Sequence, residues 1–81
     1  MSKRIYPTLE VKTGNEPKPY VSLEYGELHV AMSKQAYLDS TDRWTTFGKP
    51  AAQAIYNEGE VHETFFEDAQ RAFEEFDKGV Q

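Results

Sequence analysis

The sequence is 81 residues long and has a formal net charge of −5, with 38% hydrophobic residues and no cysteine. A chain of this length forms one small domain, here residues 1–81, and the lack of cysteine excludes disulfide bonds and thiolate metal sites. It has no apolar run of about 18 residues that could span a bilayer, and the segment after Met1 lacks the apolar region typical of a signal peptide. We therefore expect a cytoplasmic protein.

The amino-terminal half alternates apolar and polar residues, which is typical of β-strands. A first strand is predicted from Ile5. Pro7 lies within it and predicts an edge strand or a bulge, because proline donates no hydrogen bond to a neighbouring strand. Two prolines, a glycine and an asparagine between residues 13 and 19 predict a solvent-exposed loop after this strand.

Two further strands are predicted after the loop. Their apolar members are Val21, Leu23, Tyr25, Leu28, Val30 and Met32. Gly26, in the short link between these strands, predicts a tight hairpin, because glycine tolerates the positive φ of hairpin turns. The three strands, between about residues 4 and 32, predict an antiparallel meander.

Helical signals follow Met32 and continue to about residue 78. Ser33 and the segment 40–42 predict two N-caps, and Pro50 fits the first turn of a helix that ends at Gly59. One face of that helix is predicted to consist of Ala51, Ala52, Ile55 and Tyr56.

A carboxy-terminal helix is predicted from about His62 to Lys78, with Gly79 as its end. At about 100° per residue, six apolar residues form one stripe on this helix. They are Phe65, Phe66, Ala69, Ala72, Phe73 and Phe76. The sequence therefore predicts an α+β fold in which two to three helices pack on one face of a three-stranded sheet.

The negative charge is concentrated near the carboxy terminus. Residues 1–57 include seven basic and six acidic residues, a net charge of +1, whereas residues 58–81 include two basic and eight acidic residues, a net charge of −6. Helical rotation places several of these carboxylates opposite the apolar stripe. We refer to them as the acidic row: Glu60, Glu63, Glu67, Glu74 and the flanking Glu75.

The acidic row has two interpretations. In the first it is a solvated helix face, on which Glu67 pairs with Arg71 one turn further on. Glu74 and Lys78 have the same spacing. In the second it is complementary to a groove of Lys and Arg on a larger protein, such as one that normally receives nucleic-acid phosphates. The uneven charge also speeds encounter with a basic partner.

Aromatic residues of the sheet provide a second candidate surface. Tyr6, Tyr20 and His29 are predicted to lie on the sheet face that the helices leave uncovered. Tyrosine is enriched at protein interfaces, although single exposed aromatic residues are also common on surfaces that bind nothing. A stacking platform for single-stranded RNA is disfavoured, because basic residues on this face are mixed with glutamates.

The sequence lacks motifs for catalysis and metal binding. His62 and Glu63 match the start of the zinc-protease pattern, but Phe66 stands where the second histidine is required. There is no Gly-x-Ser-x-Gly motif and no glycine-rich phosphate loop. Two histidines without a ligand spacing predict no metal site. We therefore expect a non-enzymatic protein that uses no cofactor or metal.

These observations favour a protein-binding module: a small inhibitor or modulator that docks the acidic row and the Tyr6 and Tyr20 patch on a basic site of a larger protein. That protein could belong to a nucleic-acid-processing complex. We expect no direct binding to nucleic acid or membranes. Small acidic chains of this type are similar in general character to phage-encoded inhibitors, including anti-CRISPR proteins and nucleic-acid mimics, which act in the host cytoplasm; no motif is shared.

The alternative is a structural or regulatory homodimer with an aromatic interface. One three-stranded sheet has limited area to cover the phenylalanines of the last helix, and a second copy of the chain would cover the remainder. In that case the acidic row serves only solubility.

Overall fold

The computed structural model describes residues 5–13 and 18–80 of the chain. Within these residues three strands are followed by three helices that pack on the sheet, which confirms the predicted α+β fold. Residues 14–17, in the predicted loop, and residues 1–4 lie outside the described part of the chain, so the prediction of a loop is only partly covered.

The three strands form one antiparallel sheet in the order β1-β2-β3, as the meander predicts. Their bounds are Thr8–Lys12 for β1, Tyr20–Tyr25 for β2 and Leu28–Ser33 for β3. Leu23 of the central strand lies between Leu9 and Val30 in the register, so the apolar residues of the three strands share one face.

Gly26 and Pro7 affect the backbone at the two places that the sequence predicts, the hairpin between β2 and β3 and the start of β1. Gly26 has a φ of +63°, whereas no other described residue has positive φ. Positive φ at only the first of the two loop residues is the pattern of a type II′ turn, which matches the twist of the flanking strands. At the other edge, β1 begins at Thr8 rather than at Ile5, because Pro7 has no N–H to donate.

The helical half consists of a short helix, a π-helical turn and two longer helices. Their bounds are Lys34–Asp39 for α1, Trp44–Gly48 for the π turn, Lys49–Glu58 for α2 and Phe65–Val80 for α3. Gly48 ends the π turn where the chain passes close to two aromatic rings. A Cβ at Gly48 would overlap the Trp44 ring and lie 2.8 Å from Phe73 Cε2.

The predicted N-caps are present. The Ser33 hydroxyl accepts a hydrogen bond of 3.2 Å from the backbone N–H of Ala36. Asp42 accepts one of 3.1 Å from the backbone N–H of Thr45 and another from the Thr45 hydroxyl, so it starts the π turn. These bonds satisfy donors that have no partner within the first turn of a helix.

The carboxy-terminal helix differs from its prediction at both ends. It begins at Phe65 rather than at about His62, because residues 62–64 form a turn in which the Phe65 N–H donates to the His62 carbonyl. It also continues through Gly79 to Val80. Gly79 does not adopt the left-handed conformation that would end a helix there.

The core lies between the helices and one face of the sheet. Its largest fully buried side chains are Tyr37, Phe65, Phe73, Leu23, Ile55 and Val21. The Phe73 ring packs edge-on against Trp44 and Phe47, with ring centroids 5.5 Å and 5.7 Å away. Edge-to-face contacts of this kind add to the free energy gained from burial.

A single copy of the chain covers the phenylalanines that motivated the homodimer alternative. Phe65 and Phe73 each have a relative exposure of 1%, and Phe66 and Phe76 pack partly buried against the core. The homodimer therefore stays a prediction without the packing argument that suggested it.

No helix within the described residues is long and apolar enough to cross a membrane.

Candidate protein-binding surface

The five glutamates of the acidic row do not lie on one helix. Glu67, Glu74 and Glu75 belong to α3, whereas Glu60 and Glu63 precede it in the link after α2. The prediction of a single helical row was therefore wrong. Its cause is the late start of α3, which removes residues 60–64 from the helical rotation. All five side chains are nevertheless exposed.

The exposed face of α3 mixes both signs of charge. Arg71 and Lys78 project from the same side as the three glutamates of this helix. The Lys78 ammonium lies 3.9 Å from Glu75 Oε1, so its ion pair is formed with Glu75 and not with Glu74 as predicted. Such exposed pairs contribute little to stability. The carboxy-terminal half of α3 is thus close to neutral at its surface.

Carboxylates without basic neighbours in the sequence are concentrated where α2 ends and α3 begins. Between Lys49 and Arg71 the sequence has no Lys or Arg, but it has the five carboxylates Glu58, Glu60, Glu63, Glu67 and Asp68. The four glutamates are exposed, and none of their side chains forms an ion pair or hydrogen bond with another described residue. Glu63 lies two residues before the start of α3 and Glu67 two residues after it.

An exposed aromatic side chain adjoins these carboxylates. Tyr56 of α2 was predicted to share a face with Ile55; Ile55 is buried, whereas Tyr56 has a relative exposure of 48%. Its ring is tilted by 38° against the ring of Phe66, with the centroids 5.5 Å apart. Phe66 precedes Glu67 directly on α3. The aromatic pair therefore provides apolar contact area beside the glutamates.

We call this region the junction surface and define it by the exposed glutamates and the aromatic pair of the α2–α3 junction. Its members are Tyr56, Glu58, Glu60, Glu63, Phe66 and Glu67. Tyr56, Glu58 and Phe66 were not among the predicted site residues. The sequence signal that could have identified them is the absence of Lys and Arg from residues 50–70, which a helical rotation diagram does not display.

The link that carries Glu60 and Glu63 is attached to the sheet. A Cβ at Gly59 would lie 2.6 Å from Leu28 Cδ1, so the backbone passes close to β3 at this point. The backbone N–H of His62 donates a 3.2 Å hydrogen bond to the hydroxyl of Tyr25 at the end of β2. These two contacts fix the link, and ordering it on binding costs less conformational entropy as a result.

The second predicted patch does not form. Tyr6 is exposed, but with Pro7 it lines a groove against Asp68 and Arg71 of α3, on the helix side of the sheet. The prediction that it lies on the uncovered sheet face was wrong. Strand β1 begins only after Pro7, so the alternation of faces along the strand does not extend to Tyr6. Tyr20 is half-buried at the opposite end of the sheet, and the length of β2 separates the two by about 17 Å.

The uncovered sheet face is polar and nearly neutral. Lys12 and Glu24 form an ion pair across it, and the hydroxyl of Ser22 donates to Glu24 at 3.4 Å. The hydrogen bond from Lys12 is the main cause that lowers the pKa of the Glu24 carboxyl. His29 is exposed opposite Glu24 in the register, as predicted for this face. This face has paired charges and little to attract a charged partner.

Asp77, another acid of residues 58–81, belongs to a network of hydrogen bonds and an ion pair within the fold. The Tyr37 hydroxyl donates to Asp77 Oδ1, and Arg43 Nη1 lies 3.5 Å from the same oxygen. Arg43 Nε also donates to the Tyr37 carbonyl at 3.1 Å. Burial, followed by the bond to Asp77, raises the pKa of the Tyr37 hydroxyl. This carboxylate therefore connects α1, the residue before the π turn and α3.

Metal chemistry finds no support in the described part of the chain, where no three His, Asp or Glu side chains are grouped so that they could hold an ion. No protein-family model, curated protein or solved structure matches the chain. The arrangement of its own residues is therefore the basis for any functional assignment.

Proposed function

We propose that the chain is a non-enzymatic protein-binding module that docks the junction surface on a basic site of a larger protein. The observation that supports this proposal is the concentration of five carboxylates, without a single Lys or Arg, in residues 50–70. The four glutamates of the junction surface are exposed and have no ionic partner within the described residues. A Lys- and Arg-rich partner supplies the missing counter-charges.

The physical argument combines charge with apolar contact. Exposed ion pairs contribute about 0.2–1 kcal/mol each, so the glutamates mainly accelerate encounter and fix orientation. Tyr56 and Phe66 add the apolar and aromatic contact area from which interface hot spots are built. Tyr56 can also stack on an arginine of the partner, a contact favoured on aromatic faces. The surface thus suits a partner rich in arginine.

The proposed role is that of an inhibitor or modulator. Carboxylates on a link that is attached to the sheet and on the adjoining helix can occupy a Lys and Arg groove that otherwise receives nucleic-acid phosphates. The chain would then compete with nucleic acid for that groove. If the chain is a nucleic-acid mimic in this sense, the partner cannot bind the chain and nucleic acid at the same time.

The test uses two variants with the same change of net charge. The first is the triple variant Glu60→Gln, Glu63→Gln and Glu67→Gln on the junction surface. The control is the triple variant Glu10→Gln, Asp39→Asn and Glu74→Gln, which alters exposed carboxylates outside the junction surface. Partners are captured with the wild-type chain and identified by mass spectrometry, and the affinity of the purified partner is then measured by calorimetry at low and high salt.

We expect the junction variant to bind about tenfold to thirtyfold more weakly, as the loss of three ion pairs implies, and the control to bind within about twofold of wild type. The affinity of the wild-type chain should fall as salt rises, and the junction variant should show a weaker dependence. Equal loss in both triple variants, or an affinity independent of salt, would contradict the proposal.

A further inference from the structure

The imidazole of His62 participates in a chain of hydrogen bonds at the start of α3. Its Nδ1 atom lies 3.2 Å from the backbone nitrogen of Thr64 and 3.0 Å from the Thr64 hydroxyl oxygen. That hydroxyl donates to Asp68 Oδ2 at 3.1 Å. His62 itself is exposed in the middle of the acidic link, so a proton from solvent can reach the ring.

The hydrogen bond from the Thr64 backbone N–H to Nδ1 selects one tautomer of the neutral ring. A backbone N–H is always a donor, so Nδ1 must accept from Thr64, and the ring proton is then on Nε2. The Thr64 hydroxyl keeps its own proton for Asp68. In this state the side chain of His62 acts as a cap for a backbone N–H just before α3.

The protonated ring requires a different arrangement. Both ring nitrogens of an imidazolium are donors, so Nδ1 can no longer accept from the Thr64 N–H. It can donate to the Thr64 hydroxyl oxygen 3.0 Å away, and the hydroxyl still donates to Asp68. The hydrogen bond from the Thr64 backbone to His62 is thus exchanged for a relay from imidazolium through hydroxyl to carboxylate.

Protonation also changes the charge of the region. Residues 50–70 have a net charge of −5 with neutral His62 and −4 with the imidazolium. The titratable groups on the elements that meet at His62 are the Tyr25 hydroxyl, which accepts from its backbone, and the acids of α2, the hairpin, the link and α3. With the acids of α3 limited to its first turn, they are Glu27, Glu58, Glu60, Glu63, Glu67 and Asp68.

We infer that His62 is a proton-sensitive element of the junction surface. Its protonation breaks the hydrogen bond from the Thr64 N–H to Nδ1 and lowers the negative charge beside Glu60 and Glu63, so the surface binds a basic partner more weakly in acid. Histidine is the side chain that ordinarily changes charge between about pH 5 and pH 8. The effect on binding rests on the proposed function, whereas the exchange of hydrogen bonds does not.

The exchange is tested by NMR on the full chain titrated between pH 8 and pH 5. We expect the Thr64 amide proton to shift upfield in step with the His62 ring, and its protection against hydrogen exchange to fall about threefold to tenfold. The variant His62→Asn is the key comparison. An asparagine carbonyl can accept from the N–H two residues on without titrating, so the Thr64 amide should then be insensitive to pH.

The control is His29, which is exposed on the opposite sheet face. In the variant His29→Asn the Thr64 amide should still follow the His62 ring. A Thr64 amide that is insensitive to pH in the wild-type chain, or that responds equally in His62→Asn, would overturn the inference.

The binding effect is tested separately with a peptide of alternating arginine and alanine as the basic probe. Its affinity should be about twofold to fivefold lower at pH 5.5 than at pH 7.5 for the wild-type chain, with a smaller change for His62→Asn. An equal change in both chains would overturn the regulatory part. If the probe shows no salt-dependent binding at pH 7.5, the proposed function fails, while the NMR result still decides the exchange of hydrogen bonds.

Discussion

The two ends of α3 use charged and aromatic residues in opposite ways. At the carboxy-terminal end, Asp77 bonds to Tyr37 and pairs with Arg43, and Phe73 is enclosed by other rings. At the amino-terminal end, Glu63 and Glu67 have no ionic partner among the described residues and Tyr56 is exposed. The contacts at the carboxy-terminal end therefore stabilise the fold, whereas the fold does not require the unpaired glutamates and the exposed tyrosine at the other end.

The largest difference between the two ends is expected from their aromatic residues. Phe73→Ala should lower the free energy of unfolding by about 3–5 kcal/mol, because it leaves a cavity among several rings. The matched change at the other end, Tyr56→Ala, should cost about 1 kcal/mol or less, because the ring is half exposed. Urea unfolding followed by circular dichroism measures both. Similar losses for the two variants would remove the distinction between the ends.

The next largest difference in the free energy of unfolding is expected between variants of two carboxylates of α3. Asp77→Ala should lower the free energy of unfolding by about 1–2 kcal/mol, since it leaves Tyr37 and Arg43 without their acceptor. Glu74→Ala, on the exposed side of α3, should change it by less than about 0.5 kcal/mol. The same urea experiment compares them. A larger loss for Glu74→Ala would show that the exposed face of α3 is structural.

The sequence predicted the parts of the fold that depend on local patterns. Alternation along β2 and β3, the glycine of the hairpin and the cap at Ser33 were all confirmed, because each requires only neighbouring residues. The start of α3 could not be predicted in this way. The turn before it contains a contact that local patterns do not show, the hydrogen bond from the His62 N–H to the Tyr25 hydroxyl, 37 positions apart. The same holds for the network at Asp77, whose members come from three segments.

The sequence predicted most of the glutamates of the candidate site but not their arrangement in the fold. Exposure of the five glutamates and their concentration in one segment follow from residue type and charge counting. Their division between a link and a helix follows from tertiary contacts of that link with the sheet. Tyr6 was misplaced for a similar reason: strand alternation was extended through Pro7, where the strand had not yet begun.

The smallest expected effect concerns the cap of the π turn near the packed end. Hydrogen bonds from the Thr45 backbone N–H and hydroxyl lower the pKa of Asp42. A carboxyl with a lowered pKa in the folded state adds stability above its unfolded pKa, and this stability is lost as pH falls through the folded pKa. Asp42→Ala should therefore be less stable than wild type at pH 7, with a difference that shrinks towards pH 2.

Asp42→Asn provides the control for this titration, because asparagine can still cap the turn but does not ionise. Its stability relative to wild type should also change in acid, whereas its stability relative to Asp42→Ala should stay nearly constant with pH. If the difference between wild type and Asp42→Ala does not depend on pH, the carboxylate form of Asp42 does not support the turn.

The most direct test of the account measures two quantities on the triple variant Glu60→Gln, Glu63→Gln and Glu67→Gln. If the junction carboxylates serve a partner and not the fold, its free energy of unfolding should lie within about 1 kcal/mol of wild type, while its affinity for the captured basic partner falls about tenfold or more. A variant that binds the partner as tightly as wild type would contradict the account.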